Sequence, residues 1–310
     1  MRRAADLLAE LEARAALTPH DSNLWSAALD ELMAGHVDDD QPGSAASMQG
    51  AHPLSVAVVT AYFREDLALL RRCHDSVLAQ SYACRHIMVA DGEPREEIDG
   101  WDVEHVKLPR RSADCGDTPR AAGGERACDL GFRSIAYLDA DNSFRAHHIE
   151  SLVSRHVATG APVVFSGRTW HFPDGRLVLA VDPADGRSHV DTSCLFLAGD
   201  LRAMARTWIE FPRPLALVGD RIVIRIFRGR GLRFACSGAL TLRYCAHFAW
   251  MYLAFGLPVP PDARPRFDPE PAARFCRSLS RAQWDDLAAR LGAPVVSFLR
   301  DLMEQQTPGR

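Results

Sequence analysis

Apolar positions along the 310-residue chain repeat with two periods, and their alternation lays out the elements. Ser55 to Thr60 (Ser-Val-Ala-Val-Val-Thr) is a continuous apolar run, as in a strand covered on both faces. Glu65 to Gln80 then carries Leu67, Leu70, Cys73, Val77 and Leu78 at helical spacing. His86 to Ala90 reads as a second strand ending in Asp91-Gly92, and Val103 to Leu108 as a shorter third. Strand, helix, strand at this spacing predicts a βαβ unit on a parallel sheet. A helix opening at Thr118-Pro119-Arg120 and running to about Leu130 feeds the next apolar run, Ile135 to Leu138.

The second half is read in the same way. His147 to His156 predicts a helix, Pro162 to Ser166 a strand, and Trp170 to Val181 a hairpin turning at Pro173-Asp174-Gly175. Asp191 to Leu197 enters another strand and Leu201 to Trp208 forms a short helix. Ile222 to Arg230 alternates like a strand but is read as helix, followed by strands at Leu232 to Cys236 and Ala239 to Cys245. In the tail, Ser280 and Gln283 form a capping-box pattern, and Trp284, Leu287 and Leu291 share a face as far as Gly292. Residues 1–36 carry two amphipathic patterns, a helical hairpin that reads either as an appendage for docking or for pairing with a second copy, or as a solvated cover on the main domain. Residues 37–53, rich in Asp, Ser and Gly, read as a flexible linker. The expected division is therefore 1–36, 37–53, a main α/β domain over 54–250, and a C-terminal helical extension over 251–310.

Composition narrows the class only slightly. A hydrophobic content of 47% with 25% charged residues is that of a soluble globular chain, and a net charge of −4 gives no general attraction to nucleic acid. No stretch reaches the roughly 20 apolar residues of a membrane span, and the start lacks a signal-peptide core. Eight cysteines without a Cys-x-x-Cys pair predict reduced thiols in the cytoplasm.

The chemistry concentrates at Leu138-Asp139-Ala140-Asp141-Asn142. On an extended backbone the two carboxylates would share a face, and oxygen ligands at a strand end suit Mg²⁺ or Mn²⁺ with phosphate. In open α/β sheets that edge is where ligands bind. A calcium loop starting at Asp139 is excluded because Phe144 stands where the loop requires glycine. Asp-x-Asp alone is a common pair, and a plain turn is the alternative.

The order of pieces resembles family-2-type glycosyltransferases of the GT-A fold over roughly residues 54 to 250. The resemblance rests on Ala57 to Tyr62, Met88-Val89-Ala90-Asp91-Gly92, Pro119 to Gly123, Tyr137 to Asn142, Asp191-Thr192-Ser193, and Val218-Gly219-Asp220 followed by Arg225 and Gly231. It implies a Rossmann-like, mostly parallel sheet flanked by helices and an inverting transfer from a nucleotide-diphosphate sugar, UDP- or GDP-linked, to a hydroxyl acceptor. By that resemblance Thr60, Tyr62, Asp91, Arg120 and Asp139 would hold the nucleotide sugar, and Asp139, Asp141 and His247 a Mn²⁺ or Mg²⁺ ion. Asp220 would be the general base, with Asp191 and Trp170 on the acceptor side. The family's usual Glu before that Asp is Gly219 here. The acceptor would be a saccharide, lipid-linked or other hydroxyl compound, and peripheral association with the inner face of the membrane is compatible with the chain. Two other readings stand: a non-catalytic nucleotide-sugar-binding module, with Gly219 marking a decayed site, and a nucleotidyltransferase. The latter would want a glycine-rich loop after the first strand, which Ala61-Tyr62-Phe63-Arg64 is not. For the remaining residues a structural role competes throughout: His247 as a core histidine, Asp220 as a helix cap, Arg120 as a surface arginine.

Overall fold

A computed structural model describes residues 54–305, apart from 174, 176, 183–189, 255, 262 and 265–267. The expected N-terminal hairpin and linker, 1–36 and 37–53, lie outside the described residues. The first βαβ unit is β1 (Val56–Tyr62), α1 (Leu67–Leu78) and β2 (Cys84–Ala90), followed by β3 (Glu104–Lys107). After α2 (Asp117–Asp129) the chain returns as β4 (Ser134–Tyr137), so that β3, β2, β1 and β4 are parallel neighbours. Asp66 caps α1, its carboxylate accepting the Ala68 amide at 2.7 Å.

Side-chain alternation along β1 shows that helices cover both faces. A Cβ on Gly123 of α2 would come within 2.4 Å of Val59 Cγ1, so α2 lies directly on that face. The hydroxyl of Thr60, one residue on, faces Cys73 of α1 on the opposite side. Two covered faces explain why β1 could be apolar throughout.

Beyond β4 the sheet becomes mixed. The remaining strands are β5 (Ser143–Phe144), β6 (Val163–His171), β7 (Leu177–Asp182), β8 (Leu195–Ala198) and β9 (Phe234–Cys245), in the order β4-β8-β6-β9-β5, with β7 paired to β6. Two strands expected as pairs of short ones are continuous: β6 spans the predicted 162–166 strand and the first arm of the hairpin, and β9 spans both predicted late strands. Register shifts between β6 and β9 take up the irregularity, and Gly238 supplies a φ of +78° within β9.

The helices that follow are α3 (His148–Thr159), α4 (Leu201–Arg206), α5 (Gly219–Gly229), α6 (Ala249–Ala254), α7 (Glu270–Ser278), α8 (Arg281–Leu291) and α9 (Ala293–Gln305). The Ile-Val-Ile stretch of α5 is helical and nearly all buried, because sheet, tail and turn enclose it. The Ser280–Gln283 capping box forms at α8 as the sequence predicts. The C-terminal extension does not stand apart: Ala272, Cys276, Leu287, Val295 and Leu299 belong to the same core as β1 and β4. Arg225 of α5 stacks on Phe298 of α9 at 4.0 Å and fixes the two helices face to face.

Candidate functional site

The strand β4 stops at Tyr137, earlier than the apolar run predicts, and Asp139, Ala140 and Asp141 form a turn closed by the Asn142 amide on the Asp139 carbonyl at 3.0 Å. The expectation that the two carboxylates share one face of an extended strand is therefore corrected. A turn sends them to different partners. Buried Asn142 holds this turn in place: its Nδ2 donates to Ser193 Oγ at 3.0 Å, and its Oδ1 accepts the Cys245 amide at 2.8 Å. Ser193 Oγ also accepts the Asp139 amide at 3.0 Å, and Arg72 donates to the Asp141 carbonyl at 2.9 Å. The acidic turn is thus fastened to α1, β9 and the Asp191–Ser193 segment at once.

Arg120 is the hub on one side. Its Nη2 donates to Asp139 Oδ1 at 2.7 Å, and its Nη1 donates to the Cys115 carbonyl at 2.9 Å and lies 3.5 Å from Asp117 Oδ1. Burial works against the guanidinium charge, but Asp139 and Asp117 outweigh it and hold Arg120 charged. Burial pushes the Asp139 carboxyl up; Arg120 opposes this, while Asp191 and Asp141 add to it, and the net direction is upward. Asp139 remains partly open, with 30% of its side chain exposed.

Asp141 and His247 meet on the other side, with Nε2 to Oδ2 at 3.2 Å. The approach brings opposite charges together but is not aligned for a hydrogen bond, and the buried His247 Nε2 has no such partner among the described residues. The neighbouring carboxylate still lifts the imidazole, to about 9, so that it is charged at neutral pH. Burial raises the Asp141 carboxyl, but His247 and Arg264 outweigh burial and hold it below the usual range. No group of three or more His, Cys, Asp or Glu side chains is gathered as a cation site among the described residues. Mg²⁺-type ions, however, take one or two protein carboxylates and complete their shell with substrate phosphates and water. Once its proton is displaced, the buried imidazole nitrogen, which has no hydrogen-bond partner among the described residues, and the carboxylate beside it fit one edge of such a shell. Asp139, turned onto Arg120, is not brought into that pair.

The other expected residues divide. Asp91 ends β2, is 5% exposed, and its Oδ1 accepts the Ser112 amide and hydroxyl at 2.7 and 2.8 Å. Thr60 and Tyr62 are not presented to a ligand as the resemblance implied. Thr60 is fully buried, its hydroxyl 2.9 Å from His86 Nε2, within a chain that continues from His86 Nδ1 to His74 Nδ1 at 2.9 Å. Burial pushes the His86 imidazole down to about 3, so this chain is neutral. The Tyr62 hydroxyl is 2.7 Å from His105 and accepts the Arg95 amide at 3.0 Å, which commits it to the β3 side. Both residues lie on the α1 face of β1, and strand parity turns them inward.

Asp191 pairs with Arg168 at 2.5 Å, and that guanidinium lies 6.0 Å from the Trp170 ring and 4.7 Å from Tyr244. Asp220 sits half-buried in the first turn of α5, its Oδ1 accepting the Arg221 amide at 2.6 Å, and its charge acts on both Arg120 and Asp117. Sequence reasoning missed Asp117 and Arg168. Asp117 opens α2 after Gly116, which looks like an ordinary acidic residue at a helix start. Arg168 falls at a polar place in β6 with no motif around it.

No family model matches the chain, and no curated protein matches it either. Solved structures do. S. aureus TarS 1-349 in complex with UDP is similar over 81% of this chain and 70% of its own, with a TM-score of 0.52 at 9% identity. A second structure of S. aureus TarS 1-349 is similar over 81% of this chain and 69% of its own, with a TM-score of 0.51, also at 9% identity. GalNAc-T7 with UDP, GalNAc and Mn2+ reaches a TM-score of 0.47 at 13% identity over 62% and 44%, a likeness too slight to bear on the fold. The TarS likeness shows that the chain has the GT-A fold. No helix among the described residues is long and apolar enough to cross a membrane.

Proposed function

We propose that the protein is a glycosyltransferase that moves a sugar from a nucleoside-diphosphate donor to a hydroxyl acceptor with inversion. The observation that carries this reading is that two pairs, Arg120 with Asp139 and His247 with Asp141, flank the acidic turn just beyond the carboxyl end of β4, where an α/β sheet binds its ligands. Asp91, at the end of β2, leaves its second carboxylate oxygen to accept from the base or ribose. Arg120, already charged and fixed, faces the diphosphate with a guanidinium suited to phosphate oxygens. Asp141 and His247 would hold Mn²⁺ or Mg²⁺, which when bound supplies Lewis-acid stabilisation of the leaving diphosphate. As the acceptor oxygen bonds to the anomeric carbon, the carbon–oxygen bond to the diphosphate breaks on the opposite face and Asp220 takes the acceptor proton. Asp191 and Trp170, joined through Arg168, flank the acceptor side. The free state of all eight cysteines goes with a reducing, cytoplasmic location.

One observation favours a second reading, a nucleotide-sugar-binding module without turnover. Asp139 is engaged by Arg120 instead of being open to a cation. Donor hydrolysis and transfer with added Mn²⁺ separate the two. A working base at Asp220 predicts that Asp220→Ala loses about 10²–10⁴-fold in rate while still binding UDP. Equal, negligible turnover in both proteins, with UDP binding intact, would favour the module. Nucleotide binding itself is read by thermal shift with UDP and GDP: a ligand at 100 times its Kd stabilises by about 2.7 kcal/mol, and no shift with either would refute both readings.

A further inference from the structure

A cavity of about 680 Å³ opens between the loop that follows β3 and the segment that follows α4. That volume is of the size that small-molecule sites have. Among the described residues, none of Asp91, Arg120, Asp139, Asp141, Asp220 or His247 lines it. Asp117 stands between the cavity and Asp220: it lines the cavity, and a Cβ on Gly219 would lie 3.0 and 3.1 Å from its two carboxylate oxygens.

Three arginines line this cavity, Arg110 and Arg111 from the loop after β3 and Arg213 from the segment opposite, and all three are exposed. None has a carboxylate partner among the described residues. Arg213 Nε donates to the Ala113 carbonyl at 3.0 Å, and Arg111 lies over the Phe63 ring at 4.0 Å. A carbonyl and a ring do not cancel a charge, and three like charges around one hollow repel each other.

The acids of the lining leave most of that charge unanswered. Asp114 has both oxygens committed, Oδ1 to the Ser112 hydroxyl at 2.9 Å and Oδ2 to the Thr118 amide at 3.0 Å. Asp117 is buried with its Oδ2 closed to the cavity, and burial pushes its carboxyl up to about 8, so that it is uncharged at pH 7. Three guanidinium charges thus face one carboxylate, an excess of two positive charges. A phosphomonoester carries about −1.5 to −2 at pH 7, and guanidinium groups engage its oxygens in pairs. A carboxylate ligand would answer only half of the excess. Trp208, Phe211 and the 51% exposed Ile209 add an apolar wall, which suits a carbon framework behind the phosphate.

We propose that this cavity is an anion site, separate from the place of the donor diphosphate at the acidic turn, and that it takes a phosphomonoester between Arg110 and Arg213, with Arg111 adding to the field. The proposal does not depend on the glycosyl-transfer reading. Two sources offer that group, a soluble phosphate ester and a phospholipid headgroup, and the test separates them.

The full chain is titrated calorimetrically with glycerol 3-phosphate at low salt, and is co-sedimented with phosphatidylcholine vesicles with and without phosphatidic acid. The native protein should bind the ester, the phosphatidic acid vesicles, or both. Binding of the ester alone marks a site for a soluble phosphate, and binding of the vesicles marks a site for a headgroup. Arg110→Gln and Arg213→Gln should each weaken binding about tenfold or more, since each removes a charge-assisted contact. Arg281→Gln, the same change of charge at an exposed position of α8, should leave binding unchanged. The melting temperature of each variant reports whether it is folded. Ester binding should also persist at a UDP concentration that saturates the UDP thermal shift. No binding of either probe, equal losses in Arg281→Gln, or displacement of the ester by UDP would overturn the proposal. A native protein that binds the ester but shows no UDP shift would count against glycosyl transfer and leave this site standing.

Discussion

Replacing Asp117 by asparagine should make the protein more stable at neutral pH and should flatten its pH dependence. Burial, with Asp114, Asp220 and Asp139 adding and Arg120 opposing, raises the Asp117 carboxyl from 3.8 to about 8. Because the folded pKa lies above the unfolded one, the folded state binds more protons between about pH 4 and pH 8. Stability from this group is complete below the lower value and is lost as pH rises through the upper one. At pH 7 the loss is about 1.36 kcal/mol for each of roughly three pH units, or about 4 kcal/mol, as an upper bound. Relaxation of the surroundings offsets part of this, and about 2 kcal/mol is the expected effect. Asparagine keeps the shape and does not titrate, so Asp117→Asn should gain about that much at pH 7, less the contribution of the 3.5 Å contact with Arg120. For a domain of this size that is a rise in Tm of about 4–8 °C. Urea unfolding of both proteins at pH 5, 6, 7 and 8 measures it. Parallel curves for the two, with the same pH slope, would refute the assignment of a buried, proton-binding carboxyl at 117.

Three further outcomes follow from the contacts. Asn142→Ala removes the tether between the acidic turn, Ser193 and β9 and leaves the Cys245 amide unmet, so it should cost about 2–3 kcal/mol in urea unfolding. Thr60→Val should cost about 1–3 kcal/mol by leaving His86 Nε2 without its partner, yet should leave the UDP thermal shift unchanged, since the hydroxyl faces α1 and not the cleft; a large loss of UDP binding would contradict that placement. Asp141→Asn should remove the Mn²⁺-dependent part of the UDP shift and keep the Mn²⁺-independent part, and an unchanged response to Mn²⁺ would argue against Asp141 and His247 as the cation pair.

The chain by itself determined the strands buried on both faces, the order of strand and helix through β4, the helical state of α5 and the capped start of α8. Each is set by side-chain period, composition and turn residues over a few positions, and such information is local. It also placed Asp91 at a strand end and brought Asp141 and His247 under one hypothesis, through a resemblance whose fold the structure bears out. It carried the strand through the two carboxylates, because an apolar run does not show where the backbone turns: Leu138 still bonds to β1, and the turn begins at Asp139. Parity along β1 was legible, but not which face would meet α1 and which the ligand edge, so Thr60 and Tyr62 were assigned to a cleft from which the packing turns them away. The placement of Asp117 against Gly219, the clamp of Arg120 on Asp139 and the link of Arg168 to Asp191 were decided only in three dimensions. They join elements distant in the chain, and a charged side chain takes its partner from whatever the fold packs beside it.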